Sequence, residues 1–178
     1  MIITISGKLG SGKSTIARIL SDELGYRCIS AGAMMRDLAQ KRGLTIVEFN
    51  QLCAKDKSID LEMDEYIVQL GKTEENIIVD SRLAFFFIPH SFKIKLSISN
   101  QKAAERIFYD STRTTEKKYS SLKELEHDIS ERRKLEVNRF NELYGVNIED
   151  EKLFDCVIDT GNLTPYEIIE LIKERLFS

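Results

Sequence analysis

Gly7-Lys8-Leu9-Gly10-Ser11-Gly12-Lys13-Ser14 lies between an apolar run, Met1 to Ile5, and the helical pattern Thr15-Ile16-Ala17-Arg18-Ile19-Leu20. The order is strand, glycine loop, helix. A glycine, four residues, then glycine, lysine and serine make the P-loop pattern in the context that motif requires. Gly7, Gly10 and Gly12 allow a tight loop whose backbone N–H groups converge on phosphate oxygens, backed by the positive end of the following helix. Lys13 is long enough to reach terminal phosphates as a point charge, and the Ser14 hydroxyl suits a magnesium ion held among them. Gly7, Gly10, Ser11, Gly12, Lys13, Ser14 and Thr15 are therefore the candidate set for binding a nucleotide triphosphate, and Lys13 is the first candidate catalytic residue. A chance glycine-rich turn is a poor account of an eight-position match at a strand–helix junction.

The rest of the composition narrows the class. At 178 residues and 42% hydrophobic, the chain suffices for one full core and is short for two ordinary domains, so a single domain over 1–178 is expected. A formal net charge of -3 argues against a general nucleic-acid coat. The three cysteines, Cys28, Cys53 and Cys156, show no CxxC spacing, and Cys28 and Cys156 fall in apolar runs that read as buried, reduced thiols. His90 and His127 stand far apart, so no zinc constellation is indicated. No run approaches membrane-span length and no signal peptide is indicated, which makes the cytoplasm the default location.

Along the chain, apolar β-branched runs alternate with helical periodicity. After the first helix stops at Gly25, strands are expected at Tyr26 to Ser30, Asn76 to Asp80, Phe92 to Ile98 and Phe154 to Thr160. Helices are expected after Ala31-Gly32, ending at Gly43; from the Thr45–Glu48 capping box with its Leu44–Phe49 staple; and over Ile59 to Leu70, closed by Gly71. Arg82 to Ile88, with three consecutive phenylalanines read as core filling, fits either a short helix or a loop. Asn100 is placed to cap the next helix. Asp110 to Ser121 is polar without core-facing periodicity, the best candidate for a lid. Ser121 and Glu124 open a long charged helix ending near Gly145, and Leu163-Thr164-Pro165-Tyr166-Glu167 starts the last one. The expected fold is α/β: a P-loop NTPase-like three-layer sandwich with a five-stranded, mostly parallel sheet, helices on both faces and a small lid at about 110–121.

Asp80, ending an apolar strand, is placed as a Walker B type acid that joins Ser14 in holding magnesium. Arg36 and Arg82 directly follow expected strands on the P-loop edge of the sheet. Arg132, Glu136 and Arg139 sit at i, i+4 and i+7, on one helix face. A surface salt-bridge ladder, worth about 0.2–0.5 kcal/mol per pair, explains that spacing equally well. Arg36 and Arg82 tip the balance toward a second phosphate-bearing substrate.

With these residues in view, the chain resembles the cytidylate kinase family in its short, archaeal-type form. The resemblance rests on Ile3-Thr4-Ile5-Ser6-Gly7, Ser30-Ala31-Gly32-Ala33 with Arg36, Ile59-Asp60 with Asp64, Ser81-Arg82-Leu83-Ala84, Glu131-Arg132 with Asn138-Arg139, Leu143-Tyr144-Gly145, and Asp155-Cys156-Val157-Ile158-Asp159-Thr160. It implies an ATP-dependent transfer of phosphate to CMP or dCMP, with Mg2+. It further implies that Ser30, Gly32, Arg36, Arg82 and Arg139 hold the acceptor phosphate, that Arg132 and Glu136 face its sugar, and that Arg106 and Arg113 approach the ATP phosphates. Helices at about 31–72 would carry the acceptor. Leu83 replaces an aspartate that long-form enzymes use in reading cytosine, and Ser81 stands where glycine is usual. Lys13, Arg106, Arg113 and Arg132 are thus the candidate catalytic residues. The expected partners are ATP and a nucleoside monophosphate, with a monomeric protein and neither membrane nor nucleic acid. Kinases of adenylate, shikimate, dephospho-coenzyme A or a nucleic-acid end remain alternatives, as does a regulator that binds nucleotide without turnover.

Overall fold

Five strands form one sheet in the order β2-β3-β1-β4-β5, with β1 at Ile2–Gly7, β2 at Arg27–Ser30, β3 at Ile77–Asp80, β4 at Phe92–Ser97 and β5 at Cys156–Asp159. The computed structural model describes residues 1–45, 48, 49, 52, 57–110 and 119–178. β3 pairs in parallel with both β1 and β2, which sets Asp80 opposite Ile5 and Ser30, and β5 pairs in parallel with β4. The runs Ile2-Ile3-Thr4-Ile5 and Ile77-Ile78-Val79 are buried throughout, as β-branched strands of a parallel sheet should be. The expected five-stranded α/β architecture is present.

The connecting helices are α1 at Lys13–Leu24, α2 at Ala31–Lys41, α3 at Lys57–Thr73, α4 at Ala84–Phe87, α5 at Asn100–Phe108, α6 at Leu122–Tyr144 and α7 at Pro165–Leu176. They belong to two compact units. One comprises Met1–Ser6 and Ala17–Lys93; the other comprises Gly7–Ile16 and Ile94–Ser178.

In the first unit, Ile2, Ile29, Ile67, Leu70, Ile77, Val79 and Ile88 form a core with Met34 and Phe87 against it. A second cluster gathers Ala39, Phe49 and Ile59 with Leu44. The Thr45 box is present: Thr45 N donates to Glu48 at 2.8 Å, and Glu48 N donates back to Thr45 Oγ1 at 3.2 Å. Most of the helix it was expected to open, with Cys53, lies outside the described residues. Gly71 does not close α3, which continues to Thr73. A Cβ at Gly71 would come within 3.0 Å of Ile88 Cγ1, so glycine here lets a helix approach a buried isoleucine. The three phenylalanines form the short helix α4. Phe85 is buried and Phe87 packs on the core, but Phe86 is 40% exposed and does not fill it. Cys28 is exposed, contrary to the expected buried thiol, because β2 is an edge strand; Cys156 is buried as expected.

In the second unit, Ile98, Ala103, Ala104, Ile107, Leu125 and Ile129 pack α5 against α6. The cap of α5 is Ser99, whose hydroxyl accepts from Lys102 N, rather than Asn100. Ser121 caps α6, Gly145 ends it in a left-handed turn at φ 66°, and Thr164 with Glu167 closes a full capping box on α7. Of the expected lid, 111–118 lie outside the described residues.

Gly71→Val should lower stability by about 1–3 kcal/mol, the usual result of overpacking a filled core. Urea denaturation measures it, and an unchanged midpoint would mean that α3 tolerates the extra volume.

Candidate active site

An unbroken run of buried, mostly β-branched residues carries β1 to the loop, where Lys13 starts α1 and the chain reverses. Gly10 has φ +81°, and a Cβ there would stand 2.8 Å from the Ala103 Cβ. Gly12 has φ +87°, a left-handed backbone that glycine adopts without strain, and no atom of the described residues lies within 4 Å of where its Cβ would be. Ser11 N donates to Lys8 O at 3.2 Å, and Ile16 N donates to Gly12 O at 3.0 Å. Lys13 Nζ lies back across the loop and donates to Lys8 O at 3.1 Å. The Ser11 hydroxyl is fully buried and has no hydrogen-bond partner among the described residues.

Beside the loop, a cavity of about 340 Å3 is lined by Ser11, Gly12, Thr15, Arg106, Leu163 and Pro165. Arg106 closes one side, with its Nη1 donating to Thr160 Oγ1 at 3.2 Å and its Nη2 donating to Thr160 O. Thr160 is fully buried, and its hydroxyl also contacts Ser11 O and Ser97 O, each at 3.1 Å. Sequence reasoning found Arg106 but not Thr160, Leu163 or Pro165. The only signal for them was that the last strand ends, like the first, in a turn before a helix.

A second, larger cavity of about 600 Å3 adjoins the loop on Lys8, with Asn100, Arg133, Lys134, Asn138 and Glu149 in its lining. Lys8 Nζ donates to Asn100 Oδ1 at 2.6 Å. Burial, then the neighbouring Arg133, pushes the Lys8 ammonium below its ordinary value, against the opposite pull of Glu149 and Asp159. Arg133 donates from Nη1 to Glu136 Oε2 at 2.8 Å and from Nε to Glu149 Oε1 at 2.7 Å. Lys95, buried on β4, donates to Glu149 Oε2 at 3.2 Å and to its carbonyl at 3.0 Å. Burial works to raise the Glu149 carboxyl, but Arg133 and Lys95 hold it below the usual range. Arg132, by contrast, pairs with Asp128 at 2.8 Å and contacts Tyr119 at 3.4 Å.

In the first unit, Ser30 caps α2 and accepts from Ala33 N at 3.4 Å. A Cβ at Gly32 would lie 3.6 Å from Arg36 Nη1 and 3.7 Å from Ser30 Oγ, so these three share the positive end of α2. Asp80 is 5% exposed and pairs in register with Ser30. Arg82 O accepts from Ser6 Oγ at 2.9 Å. Ser81 needs no left-handed backbone, since among the described residues Asn76 is the one non-glycine with positive φ.

The model of the cytidylate kinase-like family matches residues 2–162. The chain belongs to that family. It is 36% identical over 178 residues to the cytidylate kinase of Natronomonas pharaonis, across 99% of this chain and 89% of that one. It is likewise 36% identical over 182 residues to the cytidylate kinase of Sulfurisphaera tokodaii, across 99% and 95%. Shikimate kinase from Aquifex aeolicus superposes with a TM-score of 0.63 at 20% identity, over 99% and 96% of the two chains, a likeness of fold alone. For a cytidylate kinase-like chain, the described structure brings the loop residues together with Arg106, and Ser30 with Gly32 and Arg36. Glu136 is paired with Arg133 and Arg132 with Asp128, and Arg139 is exposed on α6. Arg113 lies outside the described residues. No described helix is long and apolar enough to cross a membrane.

The lowered Glu149 carboxyl carries a stability signature. A depressed folded value contributes stability that is present above the unfolded carboxylate range and lost as pH falls through the folded value. The stability gap between the wild type and Glu149→Gln should therefore be widest near neutral pH and narrow as the pH falls below the ordinary carboxylate range of about 4, as read by thermal melts across that range.

Proposed function

We propose that this chain transfers the γ-phosphoryl group of ATP to a nucleoside monophosphate, CMP or dCMP, giving ADP and the diphosphate. The observation that carries the reading is a second anion cradle, Ser30, Gly32 and Arg36 at the start of α2, in a chain that already has a phosphate loop. One cradle suits a nucleotide switch; two suit a transfer between phosphates. The relatives from Natronomonas pharaonis and Sulfurisphaera tokodaii are cytidylate kinases, which favours CMP over the other acceptors.

In this reading Gly7, Gly10, Ser11, Gly12, Ser14 and Thr15 surround the donor phosphates, and Lys13 leaves the Lys8 carbonyl to meet them. The slot beside the loop takes the adenine on its apolar side, at Leu163 and Pro165, and leaves Arg106 for the phosphates. An acceptor phosphate oxygen attacks the γ-phosphorus in line, and the bond to the β–γ bridging oxygen breaks. That attacking oxygen is largely deprotonated near neutral pH, so no dedicated base is required. Catalysis consists of alignment and charge neutralisation by Lys13, Arg106 and Arg113. Arg82 and Arg139 complete the acceptor-phosphate set, and Arg132 and Glu136 face the sugar.

Asp80 and Ser14 are the oxygen donors offered to Mg2+. Among the described residues no group of three or more His, Cys, Asp or Glu side chains gathers as a metal cage. That fits an ion held chiefly by phosphates and water with one or two protein oxygens, where it would offset negative charge on the transferring group. The whole chain acts as one kinase domain, with helices at about 31–72 on the acceptor, 110–121 as the lid, and a monomer in the cytoplasm.

A coupled ADP-release assay with CMP, dCMP, UMP, AMP and no acceptor tests the reaction. Turnover should require an acceptor and be fastest with CMP or dCMP; release independent of acceptor would make the chain a nucleotide hydrolase. Lys13→Ala should retain the fold by circular dichroism and lose turnover by about 100-fold or more, as for other electrostatic contacts to transition-state charge. Arg36→Ala should raise the acceptor KM and spare the ATP KM; the reverse pattern would place the acceptor elsewhere.

A further inference from the structure

Arg132 and Arg133 are adjacent on α6, and their fates differ. Arg132 keeps 55% of its side chain exposed, whereas Arg133 keeps 11% and is committed at both ends of its guanidinium. From Arg133, one arm reaches along the helix to Glu136; the other crosses to Glu149, which Lys95 fixes to β4. Two cations and two carboxylates thus form a chain from a sheet strand to the inner side of α6. Such a chain is a weak device for stability, because the desolvation of buried ions cancels much of their attraction, and apolar residues of similar size often serve as well. What it does supply is direction. A carboxylate held on one oxygen by a guanidinium cannot rotate freely, and this guanidinium is itself pinned. Arg133 and Glu149 also line the 600 Å3 cavity that Lys8 of the phosphate loop borders, so the chain runs beside that loop.

We propose that Arg133 is a positioning residue for the acceptor: by holding Glu136 Oε2 it aims that carboxylate at the 2′-hydroxyl of the acceptor's sugar. The inference rests on the reading that Glu136 faces the sugar. A carboxylate so fixed accepts a hydrogen bond from a ribose hydroxyl without a prior loss of its own rotational freedom, and it gains nothing from a sugar that lacks the hydroxyl. Arg133 therefore bears on the discrimination between ribose and deoxyribose acceptors while touching neither.

The test compares KM for CMP and dCMP in the wild type, Arg133→Met and Glu136→Gln, with thermal melts alongside. Methionine keeps an apolar stem and removes the fork. In Arg133→Met the CMP KM should rise about tenfold, the worth of one hydrogen bond to a charged group, while the dCMP KM, the ATP KM and kcat change by less than about threefold. A purely structural role would move both acceptors alike, leaving their KM ratio constant. If Glu136→Gln shifts that ratio and Arg133→Met does not, the inference is overturned while the sugar reading stands. If neither shifts it, Glu136 does not meet the 2′-hydroxyl, and the inference fails. Should Arg133→Met not fold, Arg133→Lys, whose ammonium lacks the planar fork, should shift the ratio in the same direction by about threefold, and an unchanged ratio there overturns the proposal.

Discussion

The second unit is built around one hydroxyl. Thr160, at the end of β5, is fully buried, and its backbone N–H donates to Ser97 O while its Oγ1 stands 3.1 Å from both Ser97 O and Ser11 O. A hydroxyl has one proton, so the two carbonyls share it, and the lone pairs face Arg106. Through this atom, the ends of two strands, the phosphate loop and a cationic side chain are held in one arrangement. The loop's own glycines contribute little rigidity, since glycine is the residue with most conformational freedom to lose. Its shape is imposed from outside, by Thr160 on Ser11 and by Ala103 packed against Gly10. An anion site made of backbone N–H groups depends on such fixity, because the groups act only when aimed together.

The same logic separates the charged residues into two kinds. Arg132–Asp128, Lys134–Glu131 and Lys173–Glu170 are helix-surface pairs within one turn, worth at most about 0.5 kcal/mol each and screened by salt. Arg106 and Arg133 reach across elements to partners far away in sequence, and both border cavities beside the loop. Burial and partner number, not helical spacing, distinguish them.

That difference explains how much was legible in the sequence. The P-loop, the strands and the Thr164 box are local patterns, each written within about ten residues, and the structure contains them. Arg133 was missed because it neighbours Arg132 and the helix period alone cannot choose between them; Glu149, which decides the matter, lies 16 residues on, beyond the end of α6. Gly71 read as a stop because glycine usually is one, whereas Ile88 supplies the reason for it. Ser99 and Asn100 are equally good caps on paper, and Lys8, from a distant loop, takes the asparagine. Phe86 and Cys28 sat in apolar runs whose outward side no pattern marks.

The sheet's order has one more consequence. Its outermost strands, β2 and β5, are each four residues long, and β2 presents Arg27 and Cys28 outward, with Arg27 held to Glu74 at 2.8 Å. The long isoleucine-rich strand β1 lies third of five, far from either margin. Short, charged margins are poor templates for strand addition. A chain rich in segments that would aggregate as free strands thus keeps the most hazardous of them shielded, and the hazard is confined to the unfolded protein.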